Sequence, residues 1–258
     1  MRARSIRAAL LVIVAFAAAP AGAETLYRQP VWPAGFSWSH ADIDVVIVPP
    51  NHGQLYNGNG ALNGLDADEL NPLANSYLRA IERSVADWDR AVAAYAPTWL
   101  KKGLKVNTYV VGRDDVPADT LRNPDVVIAT DLTKAAVLGI ALRQGARTCV
   151  VLNSKFFITS MTYADMFNIN SQEYGHCLGL GHVNEASPPN PDDAKMRHDV
   201  MNGFYAHDPG ATENHVHCVS NLNVAGLVEA FRETLTGSPG ARYGIVGASS
   251  YARVNSCG

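Results

Sequence analysis

The sequence predicts an α+β fold, and three observations predict it. A β-branched run, Ile43 to Val48, closes on Pro49-Pro50 and reads as a buried strand. From Leu73 to Tyr95 apolar residues recur at three- and four-residue steps, the spacing of a helix with one apolar face. Short apolar runs follow, and then two more stretches read as helices, Thr162 to Leu178 and Asn221 to Leu235.

The chain of 258 residues opens with a basic segment (Arg2, Arg4, Arg7), an apolar run from Ala8 to Ala19 and Ala21-Gly22-Ala23. That pattern predicts a signal peptide over residues 1–23, with an apolar run too short to span a membrane. The expected product is a secreted protein, extracellular or periplasmic, with no membrane partner. Residues 24–258 suit one domain with a real core. A net charge of −3 and no basic block argue against nucleic acid as a partner. Four cysteines in a secreted chain, Cys149, Cys177, Cys218 and Cys257, suggest two disulfides, and three pairings stay open.

Residues 24–38 read as an extended lead-in. Residues 51–68, rich in Gly, Asn and Asp, read as a loop. Asp66, Asp68 and Glu69 could take calcium there, but no full calcium-loop pattern is present and a solvated loop is the plainer reading. Asn71-Pro72 reads as a helix start, with Leu73, Tyr77, Ile81, Val85, Trp88, Val92 and Tyr95 as the apolar stripe and Pro97 as its end. Val106–Val111 and Asp125–Ala129 read as strands, and 136–142 and 148–152 as short apolar runs. The last helix carries Leu222, Val224, Leu227, Val228 and Phe231; the tail from Gly237 reads as surface-hugging.

The chemistry concentrates in Gln172 to His182, QEYGHCLGLGH. Residues four apart share a helix face, so Gln172 and His176 are neighbours, with Glu173 beside them. Gly179 can take positive φ and end the helix, turning the chain so that His182 returns to the first two.

The stretch resembles the H-E-x-x-H-x-x-G-x-x-H signature of metzincin zinc metalloproteases (matrixin- or adamalysin-like), with Gln172 in place of the first histidine. His198-Asp199-Val200-Met201-Asn202 resembles the family's Met-turn. The resemblance implies a metzincin-like zincin fold: a twisted mixed sheet, a backing helix and an active-site helix, then a smaller subdomain with the Met-turn and final helix. The subdomains would meet near residues 182 and 183. It implies one zinc held by His176, His182 and Gln172, with Glu173 as general base and Met201 as a structural floor. It also implies an antiparallel edge strand beside the cleft that takes a peptide substrate by strand addition, for which the Gly139–Cys149 region is the candidate; an ordinary hairpin is the alternative.

Gln172 leaves three outcomes open. Its amide oxygen coordinates, with weaker affinity than an imidazole; it orients a water at the vacant position; or the metal is lost and the scaffold serves as a binding protein. His198, His207, His215 and His217 taken singly fit surface or structural histidines. Cys177 points about 100° around the helix from His176 and fits a disulfide better than a ligand. A zinc endopeptidase acting on peptide or protein, and monomeric, is the expectation; a catalytically inactive binding protein is the alternative.

Overall fold

The computed structural model describes residues 26–31, 38–49, 67–131, 138–144, 148–154, 161–183, 198–203 and 209–247. The expected signal peptide, the calcium candidate Asp66, His207 and Cys257 lie outside them, as do the side chains of Asp68 and Glu69.

The architecture is α+β. Five strands form one mixed sheet in the order β3-β2-β4-β6-β5: β2 (Asp42–Ile47), β3 (Lys105–Val110), β4 (Val126–Asp131), β5 (Gly139–Gln144) and β6 (Thr148–Ser154). The pairs β2–β3, β2–β4 and β4–β6 are parallel. β5 runs antiparallel to β6, with Gly139 opposite Asn153, and forms one edge of the sheet.

Period-two alternation sorts the strand residues between the two faces. Ile43, Val45 and Ile47 enter the main core with Ile128 and Val151, while Val46, Val48, Val127, Ala129 and Val150 form a second cluster. The central strands are therefore buried on both faces, which is why they read as continuous apolar runs.

Helix α1 (Ala67–Tyr95) backs the main core. Tyr77, Ile81, Val85, Trp88 and Val92 are buried as the stripe predicts, but Tyr95 stands 36% exposed. The helix also begins before Asn71-Pro72, so Pro72 sits inside it. There it cannot make the N–H bond that an interior helix residue gives to the carbonyl four residues back. Two short helices follow in stretches without helical periodicity, α2 (Thr98–Gly103) and α3 (Ala118–Arg122).

Helix α4 (Tyr163–Cys177) starts at a capping box. The Asp165 N–H donates to Thr162 Oγ1, and the Thr162 N–H donates to the Asp165 carboxylate. Helix α5 (Asn221–Thr236) starts at a second box, Ser220 with Asn223. Leu222, Val224, Leu227 and Phe231 join the same core as α1 and α4, which also takes in Val200 and Met201.

The lead-in and the tail differ from expectation. Leu26–Pro30 (β1) and Tyr243–Gly247 (β7) pair antiparallel as a separate two-stranded sheet. Neither segment alternates cleanly; each becomes a strand through the other.

A Cys149–Cys177 disulfide ties β6 to the end of α4 with Cα atoms 5.6 Å apart. Cys218 is also disulfide-bonded. No described helix is long and apolar enough to cross a membrane.

Candidate functional site

Gln172, Glu173 and His176 lie on the last turns of α4, and the chain must reverse to bring His182 to them. Leu178 caps the helix and Gly179 takes φ 96°, a left-handed conformation that glycine reaches without strain. The segment then runs beside β1: Val31 bridges Leu180, and the Gly181 N–H donates to the Pro30 carbonyl at 2.9 Å.

The reversal brings three side chains together. His176 Nε2 lies 3.2 Å from His182 Nε2, and Gln172 Nε2 lies 3.1 Å from the same His182 atom. The imidazole rings meet edge to face, with centroids 4.8 Å apart. His176 Nδ1 contacts the Leu180 carbonyl at 2.7 Å. A carbonyl can only accept, so Nδ1 carries the proton and Nε2 presents its lone pair to the cluster.

Glu173 is 9% exposed. Burial pushes its carboxyl up to about 7, against one hydrogen bond from the Ala141 backbone that pulls it down. Strand β5 can come this close because residue 139 is glycine: a Cβ there would lie 2.7 Å from Ile169 Cγ2 and 3.0 Å from Glu173 Cγ. Burial moves His176 the other way, down to about 4, with the nearby His182 adding to the fall. At neutral pH His176 is an uncharged imidazole.

Met201 is fully buried against α4. A Cβ at Gly175 would overlap its sulfur and lie 2.6 Å from Trp88 Cζ2, so the helix, the methionine and the backing tryptophan meet where only glycine fits. The Met201 carbonyl accepts from the Val183 N–H at 2.9 Å, tying the turn to the residue after His182. Gly203 sits against the His182 ring, where a Cβ would be 3.2 Å from Cγ.

The donor set fits a tetrahedral cation. Zinc–nitrogen bonds of about 2.0–2.1 Å put neighbouring donors about 3.3 Å apart, close to both separations seen here. Turning the Gln172 amide by 180° exchanges its nitrogen for the carbonyl oxygen at the same point. Among the described residues no group of three or more His, Cys, Asp or Glu side chains is placed to hold a metal; the third donor here is an amide. His198 and His217 face each other with ring centroids 5.8 Å apart, and His215 Nδ1 accepts from the Thr212 N–H. Cys177 is committed to Cys149.

Sequence reasoning named Gln172, Glu173, His176, Gly179, His182 and Met201. It placed Gly139 and Ala141 in the candidate edge strand but not against Glu173, and it missed Gly175; those contacts come from approaches between elements that no local pattern signals.

No family model matches the chain, and no curated protein matches it. Among solved structures, a chain of the "GM1 bound form of the ECX AB5 holotoxin" is similar at 12% identity and a TM-score of 0.30. The match covers 61% of this chain and 60% of that one. A likeness at that level carries no conclusion about fold or function.

Proposed function

We propose that the chain is a secreted zinc-dependent endopeptidase of metzincin type, with Gln172 supplying its amide oxygen as the third protein donor. The observation that carries the reading is the meeting of Gln172, His176 and His182 beside a buried carboxyl that leans on an edge strand. Zinc bound there would polarise a peptide carbonyl and lower the pKa of a bound water. The remaining work falls to the chain itself. The outer edge of β5 takes an extended peptide by strand addition. Glu173, within reach of that edge through Ala141, takes the proton of the attacking water and returns it to the leaving amine. The Leu180 carbonyl fixes the His176 tautomer, and Met201 fixes the turn packed under the helix.

One observation favours a second reading, a binding protein without turnover: the amide nitrogen of Gln172 lies within hydrogen-bond distance of His182 Nε2, a pairing made without a cation.

Metal analysis and peptide cleavage on the wild type and Gln172→His separate the two. The enzyme reading expects about one zinc per wild-type chain and chelator-sensitive cleavage that is lost in Glu173→Ala. Zinc and cleavage in Gln172→His alone would make the natural chain the binding protein. Zinc in neither would end the metal reading altogether.

A further inference from the structure

Gln29 belongs to β1, 152 residues before Gly181, yet its side chain is fully buried between the two segments that flank the candidate site. Its amide nitrogen donates to the Gly181 carbonyl at 2.6 Å and to the Pro30 carbonyl at 3.2 Å. Its amide oxygen accepts from Asn223 Nδ2 at 2.9 Å. The same Asn223 nitrogen donates to Asp199 Oδ1 at 3.1 Å, and that oxygen accepts the Met201 N–H at 2.9 Å. Helix α5 leaves room for this: a Cβ at Gly226 would lie 2.5 Å from Gln29 Cγ.

We infer that Gln29 is a positioning residue for His182 and the Met201 turn, which makes the β1 segment a working part of the site. The Gly181 carbonyl belongs to the peptide group that joins Gly181 to His182. Its orientation sets the direction in which the His182 side chain leaves the backbone. That peptide is planar, and it is gripped by the Gln29 amide, while the Gly181 N–H on the preceding peptide is held by Pro30. Through Asn223 and Asp199, the other end of the Gln29 amide reaches the turn whose carbonyl holds Val183. One side chain thus connects the residues on either side of His182. A buried amide needs partners wherever it sits; Gly181, Pro30 and Asn223, the partners of this one, all lead to the histidine.

The metal-affinity arm of the test rests on reading Gln172, His176 and His182 as donors; the resonance arm does not. Gln29→Met keeps the volume and removes the hydrogen bonds. Val85→Ala, a core truncation on α1, serves as the control that destabilises the fold elsewhere. Two properties are read at a temperature where all variants are folded: the imidazole nitrogen resonances of His182 in metal-free protein, and zinc affinity by chelator competition. Gln29→Met should shift the His182 resonances and weaken zinc about 10- to 100-fold, the usual size of an outer-shell effect. Val85→Ala should lower the unfolding midpoint and leave both unchanged.

If Gln29→Met lowers only the midpoint, with His182 resonances at wild-type positions, Gln29 is structural and the inference falls. If the wild type binds no zinc, the metal reading fails while the resonances still decide the positioning role. Should Gln29→Met not fold, Gln29→Glu keeps the volume and the acceptor for Asn223 but sets an oxygen against the Gly181 carbonyl. It must then produce the shift.

Discussion

The two halves of α4 both bury polar side chains, and they compensate them differently. In the first half every group is tied to the scaffold. Asp165 closes the capping box. Asn168 donates to the His215 carbonyl and accepts from the His217 N–H. Asn170 donates to Ser84 Oγ at 2.6 Å and accepts from Asn153, and Ser171 receives the Trp88 indole N–H. In the second half Gln172 and His176 meet His182, and Glu173 has one backbone donor against nearly full burial. Burial displaces the ionisable groups of this half, Glu173 up to about 7, His176 down to about 4 and the Tyr174 hydroxyl upward. Side chains that hold a fold spend their hydrogen bonds on it, whereas ionisable groups displaced by burial beside a sheet edge make a candidate site.

The sharpest break between the halves is kinetic. If the chain is the endopeptidase proposed, Glu173→Gln should lower kcat/KM for peptide cleavage about 10²- to 10⁴-fold with zinc retained, and Asn170→Ala should leave the pH profile of cleavage in place. Wild-type rates in Glu173→Gln would remove the carboxyl from the chemistry. The next effect is on stability and runs the other way. Asn170→Ala strips one bond from each of two buried partners and should cost about 1–3 kcal/mol in urea unfolding. Gln172→Ala, at a half-buried position, should cost less than about 1 kcal/mol. Equal losses would erase the distinction.

A third effect lies in the pH dependence of metal-free stability. His176 titrates near 6.5 unfolded and about 4 folded, so the unfolded chain holds the extra proton between those values and stability rises with pH there. Glu173 titrates near 4.5 unfolded and about 7 folded, so the folded chain holds the extra proton and stability falls as pH rises. The two slopes cancel from about pH 4.5 to 6.5. The two groups together should leave stability flat in that window, lower it toward pH 7 and lower it below 4.5, while Asp89, which desolvation raises to about 6, adds its own fall as pH rises toward 6. Glu173→Gln should remove the Glu173 contribution and tilt the profile upward relative to wild type by about 1.4 kcal/mol per pH unit. An unchanged profile in that variant, in chelator, would mean that Glu173 is not held buried and protonated.

The elements that position the site are largely legible in the sequence because their signals are local. The β-branched run of β2, the stripe of α1 and the apolar spacing of α5 each act within a few residues. Gln172, Glu173, His176, Gly179 and His182 are legible for the same reason, since one helix turn and one reversal relate them. The first and last strands are not. Leu26–Pro30 ends in proline and Tyr243–Gly247 carries two glycines, so neither favours a strand until it pairs with a segment at the other end of the chain. Long-range approaches are equally silent. Nothing near Gly139 says that a glutamate will pack on it, and nothing near Gln29 says that its amide will reach Gly181.

The Cys149–Cys177 bond joins cysteines 28 positions apart and encloses the whole of α4 up to its last residue. A peptide bond broken anywhere between the two cysteines therefore separates nothing. The fragments stay one molecule, and only a reducing gel shows two bands. A preparation nicked in this stretch keeps its mass apart from one added water, so intactness has to be checked after reduction. The same cross-link keeps the His176 end of the helix fastened to the sheet even when the chain leading into it has been cut.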